Sequence, residues 1–155
     1  MEGPLFVLLV SAHRGGAALW PENTLRGLEG SVRLGVDFVE CDVRRSRDGS
    51  LVLMHDETVD RTTDGMGEVA GLDWETLRGL DAGARAPVPL LVEALEIIRG
   101  RCHFLCEQCL RSQRKVDKIA LDQLLENFYR KENILSTGTI QSFDTKYFDF
   151  SFVKD

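Results

Sequence analysis

Asp37-Phe38-Val39-Glu40-Cys41-Asp42-Val43 reads as a β-strand, because acidic and apolar side chains alternate along it. Successive strand side chains point to opposite faces, so Glu40 and Asp42 share one face and Val39, Cys41 and Val43 share the other. Two neighbouring carboxylates repel each other and resist burial. A bound divalent cation, which prefers oxygen ligands, removes both penalties. A solvated edge strand would also tolerate the pattern, and this stretch alone leaves both readings open.

Around this strand the chain has a βα rhythm, the pattern of a parallel sheet. Upstream, the stretch from about Leu5 to Ala12 is apolar on both faces, as a buried central strand would be. Its apolar core superficially matches a secretory signal, but it is short and preceded by Glu2 rather than a basic region. Pro21-Glu22-Asn23-Thr24 opens a helix with Asn23 or Thr24 as N-cap, an apolar stripe at Leu25, Leu28 and Val32, and a stop at Gly35. Downstream, Arg47-Asp48-Gly49-Ser50 predicts a tight hairpin returning as Leu51 to Met54. A polar excursion follows at Asp60 to Gly67, then a short helix after Asp73 with Trp74, Leu77 and Leu80 inward. A helix over Leu91 to Arg99 leads into a third parallel strand, His103 to Cys109. Val116 to Arg130 has a strong helical stripe, and a fourth strand is expected around Thr137 to Phe143. Four of the eight Phe lie in the last thirteen residues, where Phe148 to Phe152 alternates like a strand.

The 155 residues suit one domain, 1–155, and 43% hydrophobic with 28% charged residues is ordinary for a globular chain. A net charge of −6 argues against nucleic acid as a general partner, and no apolar run has the length of a transmembrane segment. Four cysteines without a secretory signal suggest reduced thiols and a cytoplasmic setting. Cys106-Glu107-Gln108-Cys109 is a single CxxC with no second pair, so structural thiols are the default over zinc or redox chemistry.

His13 and His55 each follow an apolar strand, at the strand end where parallel α/β folds bind ligands. A lone His there is commonly a structural hydrogen bonder, whereas two across a substrate suit general acid and base. Arg14 suits a phosphate oxygen through its forked guanidinium, or it is a surface Arg. Glu107 lies in an apolar strand and needs a partner, either an Arg or a metal shared with Glu40 and Asp42.

Taken in order, His13-Arg14-Gly15-Gly16, Pro21-Glu22-Asn23-Thr24, Glu40-x-Asp42, Asp48-Gly49, Leu53-Met54-His55-Asp56 and Asp60-Arg61-Thr62-Thr63 resemble the glycerophosphodiester phosphodiesterases. The resemblance covers about residues 8–110. It implies an α/β TIM barrel with a small insertion after strand 2, here about residues 44–85. It further implies His13 and His55 as the acid/base pair, Arg14 on the phosphodiester, and Glu40, Asp42 and Glu107 around one Mg²⁺ or Ca²⁺. The implied reaction is metal-dependent hydrolysis of a glycerophosphodiester to sn-glycerol 3-phosphate and an alcohol, with a lysophospholipid as another substrate option.

Three departures from the family pattern carry expectations. Cys109 stands where the family has a phosphate-neutralising Lys, a loss expected to weaken transition-state stabilisation by several kcal/mol. Leu90 replaces an N-capping Thr, at about 1 kcal/mol. The chain supplies about half of a barrel that takes eight βα units and roughly 250 residues. Open sheet edges would then be covered by the aromatic tail or by self-association, or else leave a truncated half of poor stability, the outcome expected here. The alternative function is a catalytically impaired module that binds a phosphate ligand or a protein.

Overall fold

The structure, a computed structural model, describes residues 8–108, 141–142 and 147–149, with side chains over 8–106. The fold is organised around β2 (Phe38–Arg45). Its first residues pair in parallel with β1 (Ser11–Ala12), and its last pair antiparallel with β3 (Leu51–Leu53), the return of the hairpin. Along its other edge β2 pairs in parallel with β4 (His103–Gln108), with Cys41 opposite Cys106 and Asp42 opposite Glu107.

The apolar face of β2 makes the core. Val39, Cys41 and Val43 pack with Phe104 and Cys106 of β4 against α1 (Leu25–Leu34) and α3 (Leu91–Ile98). Leu28, Leu91 and Leu95 are essentially removed from water, each worth about 1.5–3 kcal/mol of transfer free energy. This strand–helix–strand arrangement is that of a TIM barrel, of which about half is present. A second apolar cluster, including Val52, Met54, Val59, Val69, Leu77 and Val88, lies beneath the excursion after β3 and involves α2 (Trp74–Arg78).

The helix signals act as expected. Thr24 caps α1, its Oγ1 accepting from the Gly27 N–H at 3.2 Å and donating to Pro21 O at 2.7 Å. Gly35 ends that helix at φ 75°. At α3, Leu90 has no side-chain acceptor, but Glu93 reaches back to accept from the Leu90 N–H at 2.8 Å. Half of a reciprocal capping pair therefore remains despite the missing Thr.

Two strand expectations change. The first strand begins at Ser11, and Leu8, Leu9 and Val10 are 88%, 57% and 49% exposed rather than buried. An apolar run does not specify how many neighbours a strand has, and among the described residues β1 has β2 on one side alone. The residue pair Gln141–Ser142, β5, runs in the same direction as β4 but is separated from it by β6 (Tyr147–Asp149). β6 pairs antiparallel with β4, placing Tyr147 opposite Glu107 and Phe148 opposite Cys106. Part of the alternating aromatic tail thus occupies the outer edge of β4. The expected helix over Val116 to Arg130 and the position of Cys109 lie outside the described residues.

Candidate active site

Residues 13–16 turn sharply where β1 ends. Arg14 is left-handed at φ 50°, followed by Gly15 at 71° and Gly16 at 98°. A non-glycine residue in this region is disfavoured by roughly 1–2 kcal/mol and persists only when its surroundings hold it. Here the Arg14 N–H donates to Glu40 Oε2 at 2.7 Å, and the Arg14 carbonyl accepts from the Asn23 N–H at 2.8 Å. Helix α1 approaches closely as well. A Cβ on Gly27 would sit 2.7 Å from the Gly15 carbonyl oxygen, so glycine is what permits this contact.

Glu40 and Asp42 are 5% and 1% exposed, on the face of β2 opposite the core. Asn23 binds Asp42 twice, its Nδ2 donating to Oδ2 at 2.8 Å and its Oδ1 accepting the Asp42 N–H at 3.2 Å. Arg14 Nε lies 3.6 Å from the same Asp42 Oδ2, and Arg14 Nη1 donates to Glu22 Oε1 at 3.2 Å. His13 is largely exposed, with Nε2 3.9 Å from Glu40 Oε2. His13, Arg14, Glu40 and Asp42 are therefore brought together, although they come from separate elements.

His55 follows β3. Arg44, which shares a face with Glu40 and Asp42, donates to the His55 carbonyl from Nε at 2.9 Å and Nη2 at 2.6 Å. His55 Nδ1 lies 2.6 Å from Asp56 Oδ1. Arg61 donates from Nε to Asp56 Oδ2 at 2.5 Å, and from Nη2 and Nη1 to the two oxygens of Glu22 at 2.7 and 3.1 Å. The hydrogen bond from Arg61 is the main reason the Asp56 carboxyl is held down to about 2, and Arg61 likewise lowers Glu22. Burial pushes the Cys41 thiol well up, and Cys41, Cys102 and Cys106 are free thiols on or beside the core side of the sheet.

The buried oxygens of Glu40 and Asp42 suit a hard divalent cation chemically. Among the described residues no three His, Cys, Asp or Glu side chains form a metal-holding group. The third expected ligand, Glu107, is opposite Asp42 in strand register, and its side chain lies outside those residues.

The sequence alone assigns no site role to Asn23, Arg44, Asp56 or Arg61. One signal was available for Asn23: adjacent Asn23 and Thr24 cannot both cap α1, and Asn tolerates the positive φ of 54° found here. The other contacts join residues up to 39 positions apart and require the closed fold.

Residues 13–147 match the Glycerophosphoryl diester phosphodiesterase family. The chain is 44% identical over 97 residues to a glycerophosphodiester phosphodiesterase of Caldanaerobacter subterraneus subsp. tengcongensis, covering 58% of this chain and 40% of the relative. It is 48% identical over 73 residues to human glycerophosphodiester phosphodiesterase 1, covering 47% and 22% respectively. A solved glycerophosphodiester phosphodiesterase from Agrobacterium tumefaciens superposes with a TM-score of 0.63 at 38% identity, over 66% of this chain and 47% of that one. An Oleispira antarctica phosphodiesterase, solved with the product sn-glycerol-3-phosphate, also gives 0.63 at 37% identity, over 65% and 44%. The chain spans less than half the length of these curated relatives. With the family match running through the turn at His13, the Glu-x-Asp strand and the His55 segment, the chain belongs to the glycerophosphoryl diester phosphodiesterase family.

Proposed function

We propose that this site hydrolyses glycerophosphodiesters to sn-glycerol 3-phosphate and an alcohol. The observation that carries the reading is the docking of Arg14 on the Glu40-x-Asp42 pair, by its N–H at 2.7 Å and its guanidinium at 3.6 Å. The reading is supported by a guanidinium beside two buried carboxylates and an exposed imidazole at the adjacent position, groups that suit a phosphodiester.

Glu40, Asp42 and Glu107 would hold one divalent cation, Mg²⁺ or Ca²⁺, which when bound polarises phosphoryl oxygens. Arg14 would bind the phosphodiester, with Glu22 steering its guanidinium. The substrate hydroxyl neighbouring the phosphate is already positioned to attack phosphorus. One imidazole of the His13/His55 pair would take its proton while the other protonates the departing alcohol oxygen. Water then opens the cyclic phosphate by the reverse proton movements.

The test is release of sn-glycerol 3-phosphate from glycerophosphocholine by the full chain, with Mg²⁺ or Ca²⁺ and with EDTA. Circular dichroism establishes that the chain is folded, and a lysophosphatidylcholine arm tests the lysophospholipid option. EDTA-sensitive release supports the proposal. A folded chain that binds the metal but turns over neither substrate overturns it in favour of a binding module.

A further inference from the structure

The contacts of Arg61 join the two halves of the site. Its guanidinium presents Nε to Asp56 and the Nη1/Nη2 fork to Glu22. Asp56 in turn meets His55 Nδ1, and Glu22 accepts from Arg14 Nη1. We infer that Arg61 is a positioning residue that fixes His55 through Asp56 and Arg14 through Glu22, holding the imidazole and the phosphate-binding guanidinium in one frame. This rests on the reading above, in which His55 moves a proton and Arg14 binds the phosphodiester.

The chemistry of each link is directional. An ionised carboxylate accepts hydrogen bonds and has none to donate, so the neutral His55 ring carries its proton on Nδ1 and keeps Nε2 as the basic nitrogen. Asp56 stays ionised throughout the neutral range because Arg61 holds its carboxyl down to about 2. On the other side, Glu22 is 17% exposed and both of its oxygens are engaged by Arg61, which leaves it little freedom to turn away from Arg14. A forked guanidinium can hold two carboxylates at fixed angles at once, whereas an ammonium cannot reproduce that geometry. Arg61 touches neither Glu40 nor Asp42 in these contacts, so its effect is separable from cation binding.

The test compares Arg61→Met, Arg61→Lys, Asp56→Asn and Glu22→Gln with the unaltered full chain, all checked for folding by circular dichroism. Long-range ¹H–¹⁵N NMR of the imidazoles reads the tautomer without requiring turnover. His55 is assigned among the three histidines by loss of its signals in His55→Gln. The expected result is an Nδ1–H tautomer in the unaltered chain, a mixture in Arg61→Met, and an intermediate state in Arg61→Lys. With glycerophosphocholine and Mg²⁺, Asp56→Asn should lower kcat about tenfold or more at little-changed KM, Glu22→Gln should chiefly raise KM, and Arg61→Met should do both. A folded Arg61→Met with the unaltered His55 tautomer overturns the inference, as does one with unchanged kcat and KM. Absence of turnover by the unaltered chain would sink the proposed reaction while leaving the NMR result to decide the role of Arg61. If Arg61→Met does not fold, Asp56→Asn and Glu22→Gln decide: shifts in the same kinetic parameter by both would overturn the inference.

Discussion

Asn23 and Asp42 are joined by two hydrogen bonds, side chain to side chain at 2.8 Å and main chain to side chain at 3.2 Å, although 19 positions separate them. The pair ties the start of α1 to the acidic face of β2. Asn23→Gly keeps the left-handed backbone accessible and removes both bonds. It should destabilise the chain by about 3 kcal/mol, since one bond involves a buried carboxylate. Urea unfolding with an unchanged slope and a lowered midpoint is the expected record; a midpoint within error of the unaltered chain contradicts it.

Gly27 sets two effects against each other. Alanine is better than glycine inside a helix by about 1 kcal/mol. Its Cβ would, however, lie 2.7 Å from the Gly15 carbonyl, a backbone atom in the turn that carries Arg14. Overpacking of this kind costs about 1–3 kcal/mol, so Gly27→Ala should be net destabilising. Thermal unfolding decides, and a raised Tm would show that the helix preference wins.

Arg44 is nearly buried and uses two donors to hold the His55 carbonyl. Arg44→Met should cost about 2–3 kcal/mol by leaving that carbonyl unmatched. Arg44→Lys, with a single compact donor group, should lose roughly half as much. Chemical denaturation of both variants checks the order; equal losses would show that the fork alone matters, and a retained charge that does not help would contradict the expected partial rescue.

Asp56 should appear in the acid limb of stability. Its carboxyl is held at about 2 in the folded chain, chiefly by Arg61, against an ordinary value of 3.8. A depressed folded value means the contribution is fully present above about pH 4 and is lost as the pH falls towards 2. Discounted for partial exposure, it is worth about 1 kcal/mol. The stability difference between the unaltered chain and Asp56→Asn should therefore shrink between pH 4.5 and 2, in the window set by those two values. A difference that stays constant across the window contradicts the assignment.

Local chemistry made much of this legible in advance. The alternation of Val39, Cys41 and Val43 with Glu40 and Asp42 gave both faces of β2, and Thr24 and Gly35 bounded α1 because capping depends on adjacent residues. The exposure of Leu8 to Val10 was hidden because hydrophobicity reports a preference for burial, not the number of neighbouring strands. The pairing of β6 with β4 was hidden for a related reason: alternation marks a strand without naming its partner or direction. The Arg61 contacts to Glu22 and Asp56 were hidden because charged residues in a polar loop look alike until the chain closes around them.

The parity of β2 has one last consequence. Sliding that strand by a single position would turn Glu40 and Asp42 into the oily interior and strand Val39, Cys41 and Val43 among the arginines. Such a misthreaded chain would lose its cohesion and its chemistry in the same step. Substitutions that loosen this alignment should therefore abolish the protein outright rather than yield a stable but idle impostor.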